Sequence, residues 1–297
     1  MEPVHPGDDA HPRRGVLRRV LNNPLAVYIR ETREQDLGVH LLAISAQQLL
    51  CTAPLAVALG AVGKRLTGVS FAGVLTYLLD LTPQAEHEID AALAGSPNVS
   101  LSALLLNLVF SIAFGVGLAA TLQRGMELMW HLPRGTYVSS TVRQVLWAIA
   151  LPLMIAAVVA TGRLGHEIGR TLSAAVEMSL ALQIITIAVF IWWTQYHLLG
   201  GRVAMRKVAL PTSISTLAIA IVVLAGRQLV SGQIVPAYRA YGSVGIGIVL
   251  SAWVAIASSA SSIGLAVGSW LQQRRDSHAM AAALRIAPEA AIAEAAS

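Results

Sequence analysis

Six long apolar stretches, divided by short segments that carry almost every charge, leave this chain few ways to fold. They run Gly38–Val62, Leu101–Leu122, Val145–Thr161, Ala174–Trp193, Val208–Ala225 and Val244–Val267. Most approach the ~20 residues that an α-helix needs to cross a hydrocarbon layer of ~30 Å. There every backbone N–H and C=O must be satisfied within protein, so spans are helices or closed barrels. The period-2 alternation of barrel strands is absent. Six membrane-spanning helices are therefore expected.

Composition agrees and excludes several classes. Charged residues make up 12% of the chain, well below the ~25% of soluble domains. Six spans in 297 residues leave no length for a separate soluble domain. The balance is basic, with Lys+Arg 21 against Asp+Glu 16, but the basic residues do not cluster as a nucleic-acid groove requires. Cys51 is the single cysteine, which excludes a disulfide framework and a cysteine zinc set. The opening Pro, His and Asp residues are unlike a cleavable signal peptide. No Walker loop, His-Glu-x-x-His or nucleophile elbow is present, so no catalytic set, metal site or cofactor is expected.

Orientation follows from Lys and Arg counted over alternate segments. One side holds 15 of them, from Arg13 to Arg285, and the other 6: Lys64, Arg65, Arg163, Arg170, Arg227 and Arg239. The excess places both termini in the cytoplasm. Trp130, Trp192, Trp193 and Tyr196 fall at the inner boundary, the headgroup depth that amphipathic rings prefer.

Outside the spans, three segments have recognisable character. Residues 1–36 form a basic N-terminal segment in which Val16–Gln35 alternates apolar residues with arginines and is broken by Pro24. That composition suits amphipathic helix lying on an anionic leaflet. In the long loop between the first two spans, Phe71, Leu75, Leu78, Leu79 and Leu81 suit a helix on the outer interface. Thr82-Pro83 then reads as the N-cap and first residue of a second helix, stopped by Gly95. Residues 272–297 read as an Ala-rich cytoplasmic tail, a frayed or disordered extension of the membrane domain, 37–271.

Polar groups inside spans are costly and are candidate functional groups by default. Gln47 and Gln48 in the first span, Asn107 in the second, Glu177 near the outer end of the fourth and Ser258 in the sixth are the candidates for one cavity. The same residues serve equally to hydrogen-bond helices together. Glu177 is the one carboxylate within a span, and Arg163, Arg170 and Arg227 are its expected partners. Packing roles fall to Pro54, which bends the first span, and to Gly264 and Gly268, a small-xxx-small pair in the sixth. Cytoplasmic Glu127 stands isolated in sequence from other potential metal ligands.

Leu210-Pro211, then Tyr238, Tyr241-Gly242-Ser243-Val244-Gly245, Trp253 and Gly264, make the last third of the chain resemble the YihY/BrkB family of bacterial membrane proteins. Pro54, the long external loop and the basic segment Arg124–Arg143 match the family layout. Two departures stand out. Thr212 follows Leu-Pro where the family has Gly, and Leu265-Ala266-Val267-Gly268 stands where the family has Ala-Glu-Leu-Asn. The resemblance implies a six-helix bundle in the bacterial cytoplasmic membrane, with Gly242 and Gly264 as packing positions. Members were once labelled ribonuclease. The cytoplasmic carboxylates here lack the spacing that a two-metal phosphodiesterase needs.

The expectation is an all-α integral membrane protein: a six-helix bundle with an amphipathic N-terminal helix and external interfacial helices between spans one and two. Its expected role is a transporter or flippase-like carrier of a lipid or small envelope solute. The alternative is a non-transporting membrane scaffold. Membrane lipids are the expected partners, with no nucleic acid and with self-association left open.

Overall fold

The computed structural model describes residues 39, 42–48, 50–51, 70–93, 101–169 and 174–295. Within these residues the chain is helical, with no strand. The helices are α1 (Phe71–Leu79), α2 (Pro83–Leu93), α3 (Leu101–Met129), α4 (Tyr137–Gly169), α5 (Ala174–Leu198), α6 (Ala209–Tyr241) and α7 (Ser243–Ala295). Five contain apolar segments long enough to cross a membrane: Leu105–Met129, Tyr137–Leu164, Glu177–Leu198, Ala209–Tyr241 and Ser243–Ala279. These carry the last five apolar stretches of the sequence. The first stretch is described only at residues 39, 42–48, 50 and 51, all helical. Pro54, the basic N-terminal segment and Gly95 lie outside the described residues.

At most 28% of the most apolar window of any of these five segments is buried by protein. The remaining apolar surface includes Leu105, Val109, Leu153, Ile185, Leu217 and Ile248, all exposed. In water such continuous surface would drive aggregation, whereas in a bilayer it is the ordinary lipid-facing side.

α6 and α7 pack antiparallel along their length. A Cβ on Gly264 would lie 2.6 Å from the Ser215 Cα, and one on Gly268 would strike Pro211. Their missing side chains therefore let the two backbones approach closely. Ser215 Oγ then donates to the Ser261 carbonyl at 2.9 Å across the seam. Between the helices the chain turns at Gly242, whose φ of 60° is accessible to glycine without strain. Its N–H closes the turn on the Tyr238 carbonyl at 2.7 Å.

A second core joins the first helical segment to α3, α4 and the α5–α6 turn through Ile44, Leu118, Met126, Trp147, Leu199 and Val208. The buried Trp147 indole donates to Thr194 Oγ1 at 2.9 Å, which satisfies its N–H away from water.

All five long helices run further than hydropathy predicts, α6 and α7 most consequentially at their C-terminal ends. α6 was expected to end near Ala225 but continues to Tyr241, 33 residues in all and about 50 Å at 1.5 Å per residue. That exceeds a ~30 Å hydrocarbon layer by about 20 Å. The α1–α2 hairpin covers the excess. Leu81, Ala85 and Ile89 bury themselves against Val230, Ile234 and Ile246. Leu75, Leu79 and Leu81, expected to rest on a membrane interface, instead pack on protein. At the opposite end, α7 stays helical to Ala295, through the segment expected to fray.

Candidate functional site

The most elaborate polar arrangement among the described residues lies where α3 meets α4 and α5 meets α6. Glu127 occupies the last turn of α3 with its side chain 4% exposed. Its Oε1 accepts hydrogen bonds from Gln123 Nε2 at 3.2 Å and from the Gly135 N–H at 3.2 Å. It also forms an ion pair with Arg202, from the α5–α6 turn. Oε2 faces Arg124 Nη1 at 3.7 Å. A buried carboxylate needs this density of donors, because an unpaired charge away from water is costly.

The surrounding groups extend the network. Gln123 Nε2 also donates to Ser140 Oγ at 3.0 Å, and Gln123 Oε1 accepts from Gln144 Nε2 at 3.0 Å. Arg202 donates from Nη1 to the Pro133 carbonyl at 2.6 Å and from Nε to the Leu199 carbonyl at 2.8 Å. His197 Nε2 donates to the Arg143 carbonyl at 3.0 Å, and Arg143 Nη2 donates to Ser140 Oγ at 3.3 Å. α7 joins through Gln273, whose Nε2 donates to the Met129 carbonyl at 2.8 Å, and through Asp276, paired with Lys207 at 2.7 Å.

Chemically this is an electrostatic clamp. The oxygens of Glu127 are occupied by guanidinium and amide donors, so the carboxylate is not poised as a base. Among the described residues no three His, Cys, Asp or Glu side chains are grouped to hold a metal ion.

The residues expected to share one cavity come from four helices, and the first helical segment meets α7 beside Ser258, where Ser45 Oγ lies 3.2 Å from Ser259 Oγ. Gln47 Nε2 donates to the Phe114 carbonyl on α3 at 3.3 Å, and Gln48 and Asn107 are half-buried with hydrogen-bonding or electrostatic partners. Glu177 is exposed in the first turn of α5 and makes no ion pair among the described residues. Arg170 lies outside them. Arg227, expected in an external loop, sits within α6, half-buried. Ser258 is 2% exposed in α7, and its Oγ has no hydrogen-bond partner among the described residues.

A small cleft opens between α5 and α6 near the middle of both helices. Leu180, Ile184, Ile187, Ile219 and Val223 line it with Gln183 and Thr216. It offers about 20 Å³, room for one water molecule. None of the five proposed lining residues belongs to it.

Sequence reasoning missed the clamp because its decisive contact joins residues 75 apart. A local hint existed: Gln123 and Glu127 are four apart, one face of a helix. Thr212, a departure from the family pattern, also acquires a role. It is 7% exposed, accepts a hydrogen bond from buried Gln195 Nε2 at 2.7 Å and donates to the Val208 carbonyl at 2.7 Å. At the other departure, Ala266 is buried among Met129, Ile191 and Leu265, where a carboxylate would need a partner.

Fold and site together define an all-α, multi-pass membrane protein whose described spans are held by close helix packing and a polar clamp at one end. No family model, curated protein or solved structure matches the chain.

Proposed function

We propose that this chain is a six-span protein of the bacterial cytoplasmic membrane, with both termini cytoplasmic, that acts as a non-transporting scaffold of the envelope. The observation that carries the reading is where the intramembrane polar groups go. Gln47, Trp147, Gln195 and Ser215 each hydrogen-bond a neighbouring helix, and the described cleft holds about one water. A carrier needs a path that admits a headgroup or solute, whereas a scaffold needs its helices fastened to each other.

Kinship with the YihY/BrkB family is part of the proposal. The residues that suggest it, Tyr241, Gly242 and Ser243, form the α6–α7 turn, and Gly264 forms the α6–α7 seam. What they share with that family is therefore a way of packing two helices.

The carrier reading has one feature in its favour. The α5–α6 cleft opens within the apolar part of both helices, and the buried Thr216 hydroxyl that lines it has no hydrogen-bond partner among the described residues. Reconstitution distinguishes the two. With purified protein in liposomes, the scaffold reading predicts lipid scrambling and ion flux equal to protein-free vesicles. Scrambling or flux that rises with protein content would overturn it in favour of a carrier.

A further inference from the structure

Three arginines surround the single carboxylate of the clamp, and they are not used alike. Arg124 and Arg202 engage Glu127 directly. Arg143 does not. Its Nη2 donates to Ser140 Oγ, while its Nε is buried with no hydrogen-bond partner among the described residues. A guanidinium carries five N–H donors in a fixed fork, and the Nε–H of this one is unspent among the described residues.

Two glycines pack directly against it. A Cβ on Gly200 would lie 2.8 Å from Arg143 Nη1, and Gly200 has a φ of 64°. A Cβ on Gly135 would lie 3.5 Å from both Arg143 Nη2 and Glu127 Oε1. The Arg143 fork is thus held between two turns by backbone that carries no side chains, joined to the clamp through Ser140 but not bonded to Glu127 itself.

Among the described residues, charge at this end does not balance. Segments 124–143, 199–207 and 270–276 carry eight Lys and Arg against two carboxylates, Glu127 and Asp276. Both carboxylates are already paired. Trp192 and Tyr196, residue types that prefer headgroup depth, are 37% and 38% exposed on the same end. Unneutralised guanidinium at that depth matches the geometry and charge of phosphate, which accepts paired N–H bonds from one arginine.

We propose that Arg143, supported by the outward faces of Arg124 and Arg202, binds a phosphate group at this end of the bundle. The phosphate comes from an anionic lipid headgroup or from free phosphate. This goes beyond the scaffold reading and does not depend on it, since a carrier with the same clamp would hold phosphate equally.

The test uses the full chain in detergent, with tryptophan fluorescence following titration by dioctanoyl phosphatidylglycerol, dioctanoyl phosphatidylcholine and inorganic phosphate. Saturable binding of the phosphatidylglycerol, tighter than of the zwitterionic lipid, is expected. Arg143→Gln weakens it about tenfold, the scale of one lost charged hydrogen bond. Arg134→Gln, a nearby exposed arginine, leaves it within about twofold, as an exposed charge contributes little. Inorganic phosphate that binds and competes identifies the phosphate group alone as the ligand. Lipid binding without competition assigns the site to the headgroup. Absent binding of both, or equal loss in Arg143→Gln and Arg134→Gln, overturns the proposal. Should Arg143→Gln fail to fold, Arg143→Lys decides: weaker binding supports the site, and unchanged binding overturns it.

Discussion

Glu127, in the last turn of α3, and Arg202, in the turn between α5 and α6, form the ion pair that fastens one end of the bundle. Around it the Gly135 N–H, Gln123 and Arg124 complete the shell of the carboxylate. Removing the charge strands two guanidiniums that were placed to meet it. Glu127→Gln should therefore destabilise the protein by about 2–4 kcal/mol, with Glu127→Asp milder because the charge is kept. Thermal unfolding in detergent checks this. Equal melting temperatures for wild type and Glu127→Gln would mean the pair is energetically idle.

Two glycines of α7 should respond in opposite ways to the same substitution. A Cβ on Gly264 meets the Ser215 backbone at 2.6 Å, whereas one on Gly247 meets nothing within 4 Å. Gly264→Ala should cost about 1–3 kcal/mol by forcing α6 and α7 apart. Gly247→Ala should be neutral or stabilising by up to ~1 kcal/mol, since alanine favours the helix. Melting curves of both variants separate close packing from helix propensity.

The hairpin over the α6–α7 turn depends on a few apolar side chains. Ile89 is 1% exposed against Val230, Ile234 and Ile246. Ile89→Ala should cost about 2–4 kcal/mol and expose α1–α2 to protease before the spans unfold. Limited proteolysis with mass mapping gives the readout: faster cleavage within residues 70–93 is expected, and an unchanged digestion pattern would show that the hairpin does not rely on this contact.

Much of this architecture was legible in the residues themselves. Five apolar stretches correspond to helices because hydrocarbon permits little else. The Thr82-Pro83 start was readable because capping is local, and Thr82 Oγ1 does accept from the Ala85 N–H at 3.4 Å. What escaped was non-local. Hydropathy ends α6 near Arg227, but the helix persists because α1 and α2, more than a hundred residues earlier, cover it. Glu127 looked isolated because Arg202 is distant in sequence. Glu177 is exposed in the first turn of α5, and being the one acid in an apolar run says nothing about which way the helix turns it.

Thr212 offers a test of a sequence departure. Thr212→Val keeps the shape but leaves the buried Gln195 Nε2 with only the Ile191 carbonyl at 3.5 Å, at about 1–3 kcal/mol. Thr212→Ser restores the hydroxyl and should recover most of that loss. Equal stability of the Val and Ser variants would assign Thr212 no more than a volume.

The most direct test of the account is which side of the membrane each end of the bundle faces. In a Cys51→Ser background, single cysteines at Arg134, in the turn beside the clamp, and at Gln84, in the α2 hairpin, are both exposed positions. A membrane-impermeant maleimide applied to intact cells should label Gln84→Cys at once and Arg134→Cys only after permeabilisation. Labelling of both from the outside, or of Arg134→Cys alone, would contradict the proposed topology and with it the placement of the clamp at the cytoplasmic end.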